Sequence, residues 1–286
     1  MPSLRKPVLQ GPLAILLAAL LWSSGGLFIK VAPLPGLLVA GGRAVVTSVF
    51  YLALLRPDLR KARWSTALVY AGMILTFVTA TKLTTAANAI LLQYTGTAWV
   101  MALGPRLLGE PLRRVDIATV LACLGGMALC VLDHAGTASA PRPILGNALA
   151  AVSGLFFAGT VLAMRRDARP DSPVDAQAST TLGNLVAVAI ALPLAHQDLA
   201  LLWNRDAMLV LLWLGVVQMG VAYLLFLRGV RTVPAATASL LALVEPAANP
   251  LWVFLGTGER PGVTSVLGGV IVLGALGLRS WWLGRT

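Results

Sequence analysis

The sequence predicts an all-α integral membrane protein of ten transmembrane helices, arranged as a five-plus-five inverted repeat. Three observations carry that prediction. Apolar runs of membrane-spanning length recur along the chain, cationic residues gather in the connections of one side, and one half repeats the other. Of the 286 residues, 58% are hydrophobic and only 12% are charged, about half the charge usual in soluble domains. So little charge cannot cover the outside of a water-soluble fold, so most of this surface faces lipid.

A spanning helix needs about 20 predominantly apolar residues. Runs of that kind lie at 11–31, 36–55, 65–83, 86–108 and 115–132, and again at 144–164, 174–196, 207–227, 235–256 and 262–283. The connections are too short for a separate soluble domain. The N-terminal run follows Arg5 and Lys6 as a signal peptide would, but with nine runs behind it, it reads as a retained first helix.

The net charge of +11 invites a nucleic-acid reading, which the positions oppose. One side of the predicted spans collects Arg5, Lys6, Arg56, Arg60, Lys61, Arg63, Arg106, Arg113, Arg114, Arg165, Arg166, Arg169, Arg228, Arg231, Arg279 and Arg285. The other has Lys30, Lys82, Arg142, Arg205 and Arg260. With Arg43 inside a span, this divides the 22 cations sixteen, five and one. That asymmetry orients a membrane protein with its basic side inward, putting both termini in the cytoplasm and the chain in the inner (plasma) membrane.

Residues 84–111 repeat in 233–261 without a gap. An offset of 149 aligns Ala86–Ala87 with Ala235–Ala236, Leu91–Leu92 with Leu240–Leu241, and Gly109–Glu110 with Gly258–Glu259. Phe77 then meets Phe226 and Lys82 meets Arg231. More weakly, Trp22-Ser23-Ser24-Gly25 lines up with Phe156-Phe157-Ala158-Gly159. The halves divide at residues 1–133 and 134–286. Because five is odd, they enter the bilayer in opposite senses. Inverted repeats of this type characterise transporters, with substrate held near the midplane and access alternating as one half rocks on the other.

Leu21-Trp22-Ser23-Ser24-Gly25 followed by Lys30, Gly42-Arg43-Ala44, the run from Leu240 to Pro246, and the Gly-Glu pairs before each half's last span form an ordered set. Together these resemble the EamA-type branch of the drug/metabolite transporter superfamily over nearly the whole chain. The resemblance implies a two-times-five helix fold around a central cavity and export of amino acids or related metabolites. One departure is that Gly96–Thr97 stand where the second repeat has Glu245–Pro246, so any role of that Glu is one-sided.

An ionisable side chain within a span is costly and marks function by default. Arg43 and Glu245 qualify. Arg43 suits a substrate carboxylate, and Glu245 an ammonium group or a transported proton; alternatively, both bond neighbouring helices and fix the fold. Pro246 and Pro250 each remove a backbone donor, opening carbonyls to a cavity or kinking the helix for packing. Asn249 lies one turn after Glu245 and extends a polar stripe. Trp22, Ser23, Tyr94, Trp99, Phe156, Phe157 and Tyr223, with Gln218 on nearly the same face as Tyr223, complete the candidate substrate site; core or lipid-facing packing is the other reading of each aromatic. Trp281 and Trp282 read as interfacial anchors.

Gly125, Gly126, Gly268, Gly269 and Gly274 read as small-residue packing between the fifth and tenth spans. Cys123 and Cys130, seven residues apart, read as packing residues, and no cysteine or histidine spacing suggests a metal. No cofactor motif or Walker-type run is present, so facilitated or proton-coupled transport is expected, and the chain is not expected to be an enzyme. An intramembrane hydrolase would need a nucleophile with a base, yet His134 and His196 fall at span ends. A flippase of amphipathic substrates would need a wide cavity open to lipid. Fusion of both halves in one chain fits a monomer, whose partners are a small-molecule substrate and the bilayer. The resemblance, with the aromatic candidates, favours neutral or aromatic amino acids.

Overall fold

Helix breaks, more than helix lengths, shape this molecule. The computed structural model describes residues 6–132, 140–257 and 263–283, and all regular structure in them is helical. Arg5, His134, Gly258–Pro261 and Arg285 lie outside the described residues, as do the side chains of Cys130 and Pro250.

The chain runs through α1 (Lys6–Trp22), α2 (Gly25–Val31), α3 (Gly36–Leu54), α4 (Trp64–Leu83), α5 (Ala86–Tyr94), α6 (Gly96–Leu108) and α7 (Arg114–Leu132). It continues through α8 (Pro143–Asp167), α9 (Ala176–Leu194), α10 (Arg205–Leu212), a π-helical segment (Trp213–Val221), α11 (Ala222–Val230), α12 (Ala235–Ala242), α13 (Val244–Thr257) and α14 (Val263–Leu283). Among the described residues, six helical stretches are long and apolar enough to cross a bilayer: Gln10–Val31, Gly36–Leu54, Trp64–Leu83, Pro143–Asp167, Ala176–Leu194 and Arg205–Val230. Large side chains such as Leu17, Leu121, Val270 and Leu278 point outward, as lipid-facing residues do.

Local chemistry sets the ends. Thr85 and Asp175 accept the backbone N–H of Asn88 and Gln177 at the starts of α5 and α9, the usual N-cap bond. Gly109 ends α6 at φ +67°, a left-handed conformation in which glycine alone avoids a side-chain penalty. At the α1–α2 break, Ser23 and Ser24 donate to the carbonyls of Leu20 and Leu21 at 2.6 and 2.8 Å. Such back-bonding competes with the helix ladder and bends it. Thr95, between α5 and α6, does the same to Leu92 at 2.6 Å. The α12–α13 break at Leu243 falls just before Pro246, whose missing N–H leaves the Ala242 carbonyl without a helical donor.

The 149-residue offset persists in these elements. Helix α5 begins at Ala86 and α12 at Ala235, while α6 ends at Leu108 and α13 at Thr257. Helix α4 packs along α8, α3 along α9, α1 along α11 and α7 along α14. A methyl group on Gly126 would stand 2.7 Å from the Gly268 carbonyl, so that pair sets the α7–α14 approach. Gly125 and Gly274 face open space, leaving the expected glycine seam narrower than its sequence spacing. Gly96 meets the Gly154 carbonyl in the same way, which lets the α5–α6 break cross the middle of α8.

Candidate central substrate site

The breaks converge on a cavity at the centre of the bundle. It is lined by Trp22, Arg43, Met73, Ile74, Phe77, Gln93, Phe157, Gln218, Met219, Tyr223 and Glu245, and its volume is about 30 Å³. That is room for about two or three water molecules, so no metabolite fits without the helices parting.

Each polar wall residue is held differently. Arg43, on α3, is 2% exposed and Glu245, on α13, is 6% exposed. Arg43 Nη1 donates to Gln218 Oε1 at 3.1 Å, while the Tyr94 hydroxyl donates to Glu245 Oε2 at 2.6 Å. The two charges line the same cavity, yet no ion pair joins them. Arg43 Nε and Trp22 Nε1 are buried and have no hydrogen-bond acceptor among the described residues. A buried donor left unpaired costs about 1–3 kcal/mol, so both are poised to receive an acceptor entering the cavity.

The π-helical segment places Gln218. A wider turn leaves carbonyls misaligned with the helix ladder, and α3 supplies donors for them. Thr47 Oγ1 donates to Gly215 O at 2.8 Å and the Tyr51 hydroxyl to Gly220 O at 2.9 Å. Aromatic rings close the remaining walls. Trp22 lies 4.8 Å from Tyr223 and 5.1 Å from Phe226, Tyr223 meets Tyr70 edge-on at 4.9 Å, and Tyr94 meets Phe157 at 5.2 Å, between ring centroids. These separations suit edge-to-face and tilted packing.

Of the ten residues the sequence nominates, Trp22, Arg43, Phe157, Tyr223 and Glu245 line the cavity, and Tyr94 touches it through Glu245. Ser23 is engaged elsewhere: it accepts the indole N–H of Trp252 at 2.6 Å, as Ser24 accepts that of Trp213 at 3.1 Å. Asn249 packs against the backbone at Gly26. Phe156 packs on Gly72, and Trp99 is 48% exposed in a lateral groove that shares no lining residue with the cavity. Gln93, Met73, Ile74, Phe77 and Met219 escape sequence reasoning. Gln93 had a readable signal, an amide inside an apolar run, whereas the apolar four look like any core residue.

Comparison with known proteins agrees with this architecture. The profile of the EamA-like transporter family matches residues 9–132 and again residues 144–281. The uncharacterized transporter YwfM of Bacillus subtilis (strain 168) is 26% identical, over 93% of this chain and 91% of its own. An uncharacterized transporter of Archaeoglobus fulgidus is 29% identical, over 73% of this chain and 72% of its own. A protein crystal structure with 21% identity superposes with a TM-score of 0.76, covering 96% of this chain and 98% of that one; that likeness concerns the fold alone.

Proposed function

The chain belongs to the EamA-like transporter family, and we propose that it exports small metabolites, foremost neutral and aromatic amino acids, by alternating access of two inverted five-helix repeats. The observation that carries this reading is the pairing of Arg43 and Glu245, buried on one cavity and not bonded to each other. A zwitterion complements them. Its carboxylate meets the unpaired Arg43 Nε and Trp22 Nε1, its ammonium meets Glu245, and its side chain lies among Trp22, Phe77, Phe157 and Tyr223. Few polar groups fixing orientation within apolar walls is the usual design of such sites.

The repeats are residues 1–133 and 134–286, with ten spans in all. The doubled family match and the shared 149-residue offset of helix bounds support this. A cavity of about 30 Å³ is too small for a metabolite, and substrate enters when the halves part. Three ion pairs, each joining one half to the other, close one end: Arg63–Asp167, Arg165–Glu110 and Arg279–Asp116. The Lys and Arg distribution assigns that end, and both termini, to the cytoplasm of an inner-membrane protein. A flippase would carry its substrate's polar head along a groove open to lipid, whereas Arg43 and Glu245 line a small cavity of buried residues.

The test is radiolabelled amino-acid uptake into proteoliposomes, with and without a pH gradient, for the wild type, Arg43→Ala and Glu245→Gln. Uptake of neutral amino acids is expected from the wild type, reduced about 10- to 100-fold in Arg43→Ala, as loss of a charge-assisted bond implies. Gradient-driven uptake that Glu245→Gln loses makes Glu245 the proton site; gradient-independent uptake makes the process facilitated. No uptake of any amino acid by folded wild type would sink the substrate assignment.

A further inference from the structure

A second site lies on the flank of the bundle. Between α4, α6 and α8 runs a groove of about 460 Å³, walled by Val69, Trp99, Leu103, Leu107, Leu155 and Leu162, with Ser65 and Arg166 at one end. Leu103, Leu107 and Leu155 are exposed, so the groove opens sideways into hydrocarbon. Along α8 it extends from Leu155 to Arg166, eleven residues that rise about 16 Å. A bilayer core is about 30 Å thick, so the groove spans one leaflet, with Trp99 near the midplane and Arg166 at headgroup depth.

The charge at the rim is unbalanced. Asp167 is fully buried and serves two guanidiniums, Arg63 Nε at 3.3 Å and Arg166 Nε at 3.0 Å, while also accepting the Thr66 hydroxyl at 2.5 Å. One carboxylate between two arginines leaves a net positive charge, and the Arg166 side chain remains 39% exposed. We propose that this groove seats an acyl chain of an anionic phospholipid from the arginine-rich leaflet, its phosphate held by Arg166 and Ser65. A single chain fills the apolar trough, and the phosphate neutralises the surplus cation where a zwitterionic headgroup would bring its own choline.

Native mass spectrometry of the full chain in detergent, doped with phosphatidylglycerol or phosphatidylcholine of matched chains, tests this without measuring transport. The wild type should retain phosphatidylglycerol about fivefold more than phosphatidylcholine, the preference one basic residue gives beside anionic lipid. Arg166→Gln should remove that preference. Leu103→Trp, which fills the trough and leaves the ion pairs intact, should lower retention of both lipids. Leu278→Trp, on the exposed face of α14, should change neither. Equal retention of the two lipids by the wild type, wild-type retention in either groove variant, or an equal loss in Leu278→Trp would overturn the proposal.

Discussion

The two ends of the bundle are joined by different chemistry. At the arginine-rich end, Asp116 takes the Arg279 guanidinium at 2.7 Å with both side chains about 5% exposed or less, and Asp167 is fully buried. Glu110 binds Arg165 at 2.6 Å and also accepts the N–H of Ala235, which starts α12. Arg165 in turn donates to the carbonyls of Val230 and Arg231 at the close of α11. At the opposite end, Lys82 Nζ donates to the carbonyls of Lys30 and Ala32 within its own half. Among the described residues, the halves meet there through neutral groups such as Thr84 to Asn147 at 2.7 Å and the Arg142 N–H to the Leu83 carbonyl at 3.0 Å. Ions bound to one another join the halves at one end; hydroxyl, amide and backbone groups contribute at the other. Charges that separate are rehydrated by the water that enters, so an ionic closure is strong when dry and still reversible.

That contrast can be broken by measurement, most forcefully at Asp116. Replacing it with Asn strands Arg279, itself 4% exposed, beside a buried neutral group, and removing one partner of a buried pair costs about 3–5 kcal/mol. Thermal unfolding in detergent should register the loss. Glu110→Gln removes a pair whose side chains are 14–16% exposed, so the expected cost falls to about 1–3 kcal/mol. High salt should shrink that cost further, because partly exposed pairs are screened; insensitivity to salt would place Glu110 in a drier setting than its exposure implies. Thr84→Ala, at the neutral end, should cost about 1 kcal/mol or less. If Thr84→Ala unfolds the protein as readily as Asp116→Asn, the two ends do not differ in the way proposed. In the centre, uptake by Arg43→Ala and Glu245→Gln separates binding from coupling.

Much of this was legible in the chain before any fold was known. Within the described residues, each apolar run falls on one helix or on consecutive helical segments, and six such stretches are long and apolar enough to cross a bilayer, because a low-dielectric solvent leaves the backbone no option but internal hydrogen bonding. The helix bounds 86–108 and 235–257 repeat as the aligned alanines and the Gly-Glu turns foretold. Pro246 and Pro250 announced the interruption near Leu243. The matching break at Thr95 has no proline and was missed; it arises where Gly96 meets the backbone of α8 at Gly154. The π-helical turn was equally silent, since no residue in Trp213–Val221 specifies a wide turn alone, and its carbonyls are satisfied by Thr47 and Tyr51 from a distant helix.

The site shows the same division. Arg43 and Glu245 stood out because the bilayer penalises an ionisable group whatever surrounds it. Aromatic residues carry no such penalty, so Trp22 and Trp99 looked equivalent, and only packing put one on the cavity and the other in a lateral groove. Ser23 was nominated beside Trp22, and packing sets its hydroxyl to accept the Trp252 indole N–H. The sequence by itself determined the solvent, the helices, the duplication and the two buried charges, all of which follow from local composition and its periodicity. The tertiary structure alone decided that Arg43 meets Gln218 and Glu245 meets Tyr94, and that Arg43, Gln218 and Glu245 line one small cavity. Those contacts join residues 151 positions apart for Tyr94 and Glu245 and 175 for Arg43 and Gln218, and only the mutual packing of helices brings them within bonding distance.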